Sequence, residues 1–194
     1  MRYEKGRKNS SRSKIMEVAS ERFRKDGIAA SGLASIMNDA GLTNGAFYPH
    51  FASKAELVSA CIVQALETQS QQLRDGLAYG GLELAIKTYL SPEHRDNPAK
   101  GCASAALLPE IARQPSATRQ AYTDRLQILI SQISGALTQS KDSQGTALGV
   151  LATLFGALEL ARAVEGKELS DRILEAGIEA VQTQIRPANT RPDI

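Results

Sequence analysis

Thr43, Asn44, Gly45 and Ala46 form a run of small and hydrogen-bonding residues, followed at once by Phe47-Tyr48-Pro49-His50-Phe51. Side chains of that size and polarity can reach base edges, and a glycine among them lets two backbones approach closely. Upstream, Leu33, Ile36, Met37 and Ala40 recur at helical spacing, and Gly41 supplies the positive φ that a tight turn between two helices needs. Thr43 is placed to cap a second helix, which Pro49 limits to about two turns. The outward face of that helix carries Thr43, Asn44, Gly45 and Ala46, with Phe47 and Phe51 turned inward. Small polar residues at the start of a second helix are what a helix-turn-helix brings to a DNA major groove. Thr43, Asn44 and Ala46 are therefore expected at base edges, with Gly45 permitting close docking.

Other chemistries find little support. The two histidines, His50 and His94, and the two cysteines, Cys61 and Cys102, are scattered without companions at ligand spacing, so no metal, cofactor or disulfide framework is expected. There is no phosphate-cradling glycine loop, no H-x-x-x-H pair and no Ser/His/acid set, which argues against an enzyme. Cys102 is the one nucleophile worth weighing. It opens a helix over 103–112, where the helix dipole favours a thiolate and Arg95 and Lys100 add positive charge. It is either a sensor of oxidants or electrophiles or a small buried residue. A helical protein-interaction module without DNA binding is a further class, and the basic arm, Lys54 and the small groove-facing residues speak against it.

The elements that must hold these residues are all helical. The chain has 194 residues and 42% apolar content, enough for a buried core in one or two domains. Its charge is unevenly spread: residues 1–60 hold ten Lys and Arg against six Asp and Glu, whereas the remainder holds thirteen against fifteen. A basic N-terminal portion on a mildly acidic body localises a DNA-facing surface. Residues 1–11 read as a flexible basic arm, either a solvated tail or an arm laid along phosphates or in a minor groove. A first helix from Ser11 or Ser13 to Asp26 carries Ile15, Val18, Ala19 and Phe23, and Gly27 stops it. Ser31 is a cap candidate for the next helix, and Ser53 with Glu56 forms an S-x-x-E capping box for a long one.

The stretch from Leu42 to Leu57, with Gly27, Ser31, Leu33 and Ile36 before it, resembles the signature of the TetR family of bacterial transcriptional regulators. The likeness covers roughly the first third of the chain and is specific, because it fixes a glycine, several aromatics, a histidine and a Ser-Lys at set offsets. It implies a ligand-responsive repressor that binds palindromic double-stranded DNA as a homodimer. It also implies that Ser31, Tyr48, His50 and Lys54 hold phosphates. Ala34, Met37 and Pro49 depart from the usual pattern, so the operator sequence is not legible.

The body, 58–187, is expected to bind ligand and to dimerise, after a DNA-binding domain over 1–57 and before a tail over 188–194. Gly76, Gly80 and Gly81 mark a break, followed by a helix from Leu82 to Leu90 and a helix over 103–112 broken near Pro109. The helix from Thr146 to Val164 is apolar nearly all round, and Ser170 to Ile185 has one apolar stripe and one of small residues. A helix without a wet face needs cover on two sides, which a second subunit supplies through a four-helix bundle over 146–186. Charged substitution at Leu174 or Ile178 is expected to give monomers. The resemblance places a small-molecule effector, hydrophobic or aromatic, among Leu82, Ile86, Tyr89, Leu107, Leu108, Ile111, Tyr122, Leu126, Phe155 and Leu158. No secretory leader is evident, and the apolar run from Ala147 to Leu158 is shorter than the roughly 20 residues of a span, so a cytoplasmic protein is expected.

Overall fold

The structure, a computed structural model, describes residues 3–137 and 140–186, with side chains described from Ser10 onward. The expected tail and the side chains of Arg2, Lys5, Arg7 and Lys8 lie outside the described residues. The fold is all-α, as expected, an N-terminal helix-turn-helix domain followed by a helical domain. Its helices are α1 (Tyr3–Asp26), α2 (Leu33–Asp39), α3 (Lys54–Tyr89), α4 (Pro92–Arg95), α5 (Ala103–Ile111), α6 (Ser116–Ala136), α7 (Ser143–Ala163) and α8 (Lys167–Ile185). Short 3-10 turns occupy Asn44–Ala46 and Pro98–Lys100.

Helix α1 begins at Tyr3, so the helical backbone runs through most of the segment expected to be a flexible arm. That segment lacks an apolar face, which is why periodicity missed it. Its lysines, arginines and glutamate are nonetheless good helix formers, and extending an existing helix avoids the cost of a new nucleus. At the other end Gly27, at φ 88°, donates its N–H to the Phe23 carbonyl over 3.0 Å and stops the helix in a left-handed cap.

Contacts gather the chain into two units, Met1–Thr68 with Asn97–Arg125, and Gln69–Asp96 with Leu126–Ile194. This grouping departs from the expected division after residue 57, because α5 and the first half of α6 pack with the N-terminal segment. In the first unit Ile15, Ala19 and Phe23 of α1, Ile36 and Met37 of α2, and Leu57, Val58 and Ile62 of α3 are buried together. The start of α3 is capped as expected by Ser53, whose Oγ accepts the Glu56 N–H at 3.2 Å. The Glu56 carboxylate reaches back to the Ala52 N–H at 2.7 Å, one residue before the cap.

Helix α3 runs through Gly76 and Gly80 and kinks at Gly81 (φ 72°, ψ −175°), so one glycine of the expected three carries the break. Helix α5 is likewise unbroken at Pro109. In the second unit α7 and α8 form a hairpin through Gly166, whose φ of 90° suits only glycine. Gly177 lets the two helices touch: a Cβ there would lie 2.7 Å from the Ala157 Cβ and 2.9 Å from Leu90 Cδ1. Leu174 and Val181 are buried in that same contact. The expectation that Leu174 faces a partner subunit is thus corrected, since it is 2% exposed within one chain.

A buried arginine pins the loop around α4 to this hairpin. Arg95 Nη1 donates to Ser170 Oγ at 2.9 Å and to Asp171 Oδ1, while its Nε donates to Asp96 Oδ1 at 2.7 Å. Arg162 adds donors to the carbonyls of His94 (2.9 Å) and Arg95 (3.1 Å). Helix α7 has 21 residues and a mean hydropathy of 1.4 in its most apolar window, enough by length and composition to cross a membrane. That corrects the shorter run read from sequence. Its Val150, Leu151, Leu154, Phe155 and Leu158 are buried within this chain, as in the core helix of a folded domain.

Candidate functional site

The stretch 43–51 folds into a small turn with two unlike sides. Ala46 and Phe47 donate their N–H groups to the carbonyls of Thr43 and Asn44, closing a 3-10 turn, and His50 and Phe51 both return to the Phe47 carbonyl. The expected two-turn helix is therefore a single 3-10 turn. Pro49 brings no N–H to a helical ladder, and three-residue 3-10 pieces are common where a helix cannot propagate. Underneath, Phe47 and Phe51 are buried and stacked with centroids 5.5 Å apart, as the sequence implied. Above, Thr43, Asn44 and Gly45 are exposed, Ala46 and His50 are half-buried, and a Cβ added at Gly45 would meet nothing within 4 Å. Tyr48 is 66% exposed, with its ring edge-on to Phe47 at 5.4 Å.

Positive charge gathers beside this turn from α1. Lys14 is exposed, and its Nζ lies 3.7 Å from a Cβ built on Gly41. The Arg12 guanidinium sits over the Phe51 ring at 4.9 Å. Neither residue was singled out in the sequence, since a charge in a basic run carries no mark of what it will face. The turn thus offers hydrogen-bonding side chains at its tip and cations at its flank, a combination suited to base edges and phosphates respectively.

Two of the eight expected DNA-contacting residues are placed differently. Ser31 is fully buried, and its hydroxyl donates to the Gly27 carbonyl at 2.7 Å. Gly32 is the N-cap of α2 instead, so Ser31 has neither the capping role nor the exposure a phosphate ligand needs. The Lys54 ammonium donates to the Ile28 carbonyl at 2.6 Å. An ammonium has three N–H groups, so this bond orients the group and leaves donors over.

The family model for bacterial regulatory proteins of the tetR family matches residues 15–61, the same span that builds this turn and its support. Over that segment the chain is similar to the TetR family. Among curated relatives it is 44% identical over 63 residues to the transcriptional regulator TtgR of Pseudomonas putida, covering 32% of this chain and 30% of that one. It is 34% identical over 70 residues to the transcriptional repressor KstR2 of Mycobacterium tuberculosis, covering 36% and 35%. The match thus spans about a third of the length of these curated relatives. Whole-chain likeness comes from solved structures. The reduced form of NemR from E. coli aligns over 93% of this chain and 100% of that one, with a TM-score of 0.78 at 19% identity. A TetR regulator from Chloroflexus aurantiacus aligns over 97% and 100%, with a TM-score of 0.78 at 22% identity. At such identities the likeness is one of fold.

The ten residues expected around an effector divide between the two units. Leu107, Leu108, Ile111 and Tyr122 belong to the first. There Leu107 and Ile111 are buried, Leu108 is 38% exposed, and the buried Tyr122 hydroxyl donates to Ser104 Oγ at 3.1 Å. Leu82, Ile86, Tyr89, Leu126, Phe155 and Leu158 belong to the second. In that unit Ile86, Phe155 and Leu158 are buried, and Tyr89 packs on His94 and Phe155 with centroids 4.8 and 6.3 Å away. His94 Nδ1 lies 2.7 Å from the Tyr89 carbonyl, which can only accept, so Nδ1 carries the proton. Burial holds the His94 imidazole below its ordinary pKa.

Cys102 is the N-cap of α5, with Sγ 3.5 Å from the Ala105 N–H, and it is buried. Arg95, expected to lend it positive charge, is instead bound to Asp96 and Asp171 in the second unit. The other thiol, Cys61, is pushed up to about 11 by burial and stays protonated at neutral pH.

Proposed function

We propose that this chain is a DNA-binding transcriptional regulator, acting as a dimeric repressor on an inverted repeat and released by a small apolar or aromatic molecule. The observation that carries the DNA-binding reading is the two-sided turn: Thr43, Asn44 and Gly45 exposed above a buried Phe47–Phe51 stack, inside the segment matched by the family. Thr43, Asn44 and Ala46 read base edges, while Tyr48, His50, Lys54 and Lys14 hold phosphates. The names of the curated relatives support the regulatory role. Replacing Asn44 with Ala is expected to change base preference within each half-site at a cost of about 1–3 kcal/mol. Replacing Lys54 with Met is expected to weaken binding to all sequences and to lower the salt slope by about one unit. Fluorescence anisotropy on fragments upstream of the gene, over a salt series, separates the two. Equal losses on every sequence for both variants would defeat the assignment of Asn44 as a reader.

Dimerisation is supported by an apolar stripe on α7 that stays exposed among the described residues. Leu148, Ala152, Gly156 and Leu160 recur every four residues along α7 and are all exposed, Leu148 by 50% and Leu160 by 59%. Ala176 and Ala180 of α8 are exposed as well. Residues four apart share a helix face, and small side chains let a second helix come close. An effector is proposed to contact the aromatic cluster of Tyr89, His94 and Phe155 in the second unit and so release the protein from DNA.

A second trigger, oxidation or electrophile attack at Cys102, is favoured by its cap position against the Ala105 N–H. Its burial opposes it. Wild type and Cys102→Ser are to be treated with a quinone and release from DNA measured. Release confined to the wild type supports the thiol, and equal release by both removes it.

A further inference from the structure

The loop between α1 and α2 is held from two sides by opposite charges, one of which lies far away in sequence. Glu110, near the end of α5, accepts the Ile28 N–H on Oε2 at 2.9 Å and the Ala29 N–H on Oε1 at 2.8 Å. Those amides are available because α1 ends in a left-handed cap in which the Phe23 carbonyl takes the Gly27 N–H. In the alternative Schellman ending that carbonyl takes the N–H of the residue after the glycine, here Ile28. The carboxylate fits because residue 27 is a glycine, and a Cβ there would lie 3.2 Å from Oε2. Arg24 makes a second tie of the same kind, donating from Nε to the Ala99 carbonyl at 2.6 Å.

One peptide group joins Glu110 to Lys54. The group between Ile28 and Ala29 gives its N–H to Glu110 Oε1, and its carbonyl takes the Lys54 ammonium at 2.6 Å. An anion on the N–H side of a peptide makes its carbonyl a stronger acceptor, because hydrogen bonds in series polarise one another. Lys54 is the first residue of α3, where the helix dipole repels a cation, so it depends on such acceptors to stay in place. Holding one N–H on Ile28 also fixes the direction of the remaining two.

We propose that Glu110 is a positioning residue for DNA binding, acting through the Ile28–Ala29 peptide to aim the Lys54 ammonium at a phosphate. The proposal rests on the DNA-binding reading above and adds to it a residue outside the helix-turn-helix. It makes α5 part of the DNA-binding apparatus. Any displacement of α5 that withdraws Glu110 loosens the acceptor of Lys54 and the loop that leads into α2.

The test is a double-mutant cycle in the full-length protein. Wild type, Glu110→Ala, Lys54→Met and the double variant are titrated with a synthetic duplex of arbitrary sequence over a salt series. Glu110→Ala is expected to weaken binding about tenfold and to lower the salt slope by about one unit, as Lys54→Met does. In the Lys54→Met background the same change is expected to cost less than twofold, since the group it aims is gone. Glu110→Gln, which keeps one acceptor oxygen and the side-chain shape, is expected to fall between wild type and alanine, and guards against a folding defect in the alanine variant. Equal costs in both backgrounds, or an unchanged salt slope in Glu110→Ala and Glu110→Gln, would reduce Glu110 to a structural cap and overturn the proposal. A wild type without salt-dependent affinity for any duplex would instead overturn the DNA-binding reading, and this inference with it.

Discussion

Leu160→Glu is expected to give a folded monomer whose affinity for an inverted-repeat duplex is weaker by about a hundredfold or more, because linking two half-site readers multiplies affinity by roughly that factor or more. Leu160 is 59% exposed on α7, in line with Leu148, Ala152 and Gly156, so the new carboxylate costs nothing inside the protomer. At a dimer contact it would be buried against apolar surface without a partner, which no interface tolerates cheaply. Leu174→Glu provides the contrast. Leu174 is buried between α7 and α8 at 2% exposure, and a charge there is expected to unfold the second unit rather than separate two folded chains. Light scattering and far-ultraviolet circular dichroism distinguish the outcomes. A dimeric Leu160→Glu protein with unchanged DNA affinity would remove the α7 stripe from the interface.

Phe47→Ala is the second large effect. Phe47 is fully buried, stacks on Phe51 at 5.5 Å and receives the edge of Tyr48 at 5.4 Å. Truncating a buried phenylalanine costs about 3–5 kcal/mol, while whole domains are stable by only about 5–15 kcal/mol. The turn would lose the platform that keeps Asn44 outward. Calorimetry of the full-length variant is expected to show the first unit melting well below its position in wild type, and DNA binding is expected to disappear with it. Retention of normal melting would mean that the stack is dispensable and that the turn is held by its backbone bonds alone.

Different parts of this molecule were legible to different degrees, for physical reasons. The turn was readable because its residues do local work. Gly41 has a φ of 66°, Phe47 and Phe51 face one side, and Ser53 caps the start of α3, all between residues 41 and 53. Its length was overestimated, because sequence shows where Pro49 ends a helix but not that the remaining backbone closes as 3-10. Ser31 looked like a cap from its type and place, yet burial turned its hydroxyl back onto the Gly27 carbonyl. Glu110 could not have been found, since its partners Ile28 and Ala29 lie more than eighty residues away and a lone glutamate on a short helix carries no pattern. Helix α7 shows the same limit from another side. It is apolar nearly all round, so periodicity announced two covered faces without saying which leucines meet α8 and which remain open. Leu174 on α8 therefore meets α7 within the chain, where the stripe alone suggests a partner subunit.

On the proposed reading, residues 43–46 read DNA sequence from each half of a dimer. The most direct test of that reading is selection of duplexes from a randomised pool by the wild-type protein, followed by sequencing of the enriched population. The expected result is an inverted repeat, with information concentrated in two symmetric half-sites and altered at one position of each in a parallel selection with Asn44→Ala. No enrichment over the starting pool, or the same enriched motif for wild type and Asn44→Ala, would contradict it.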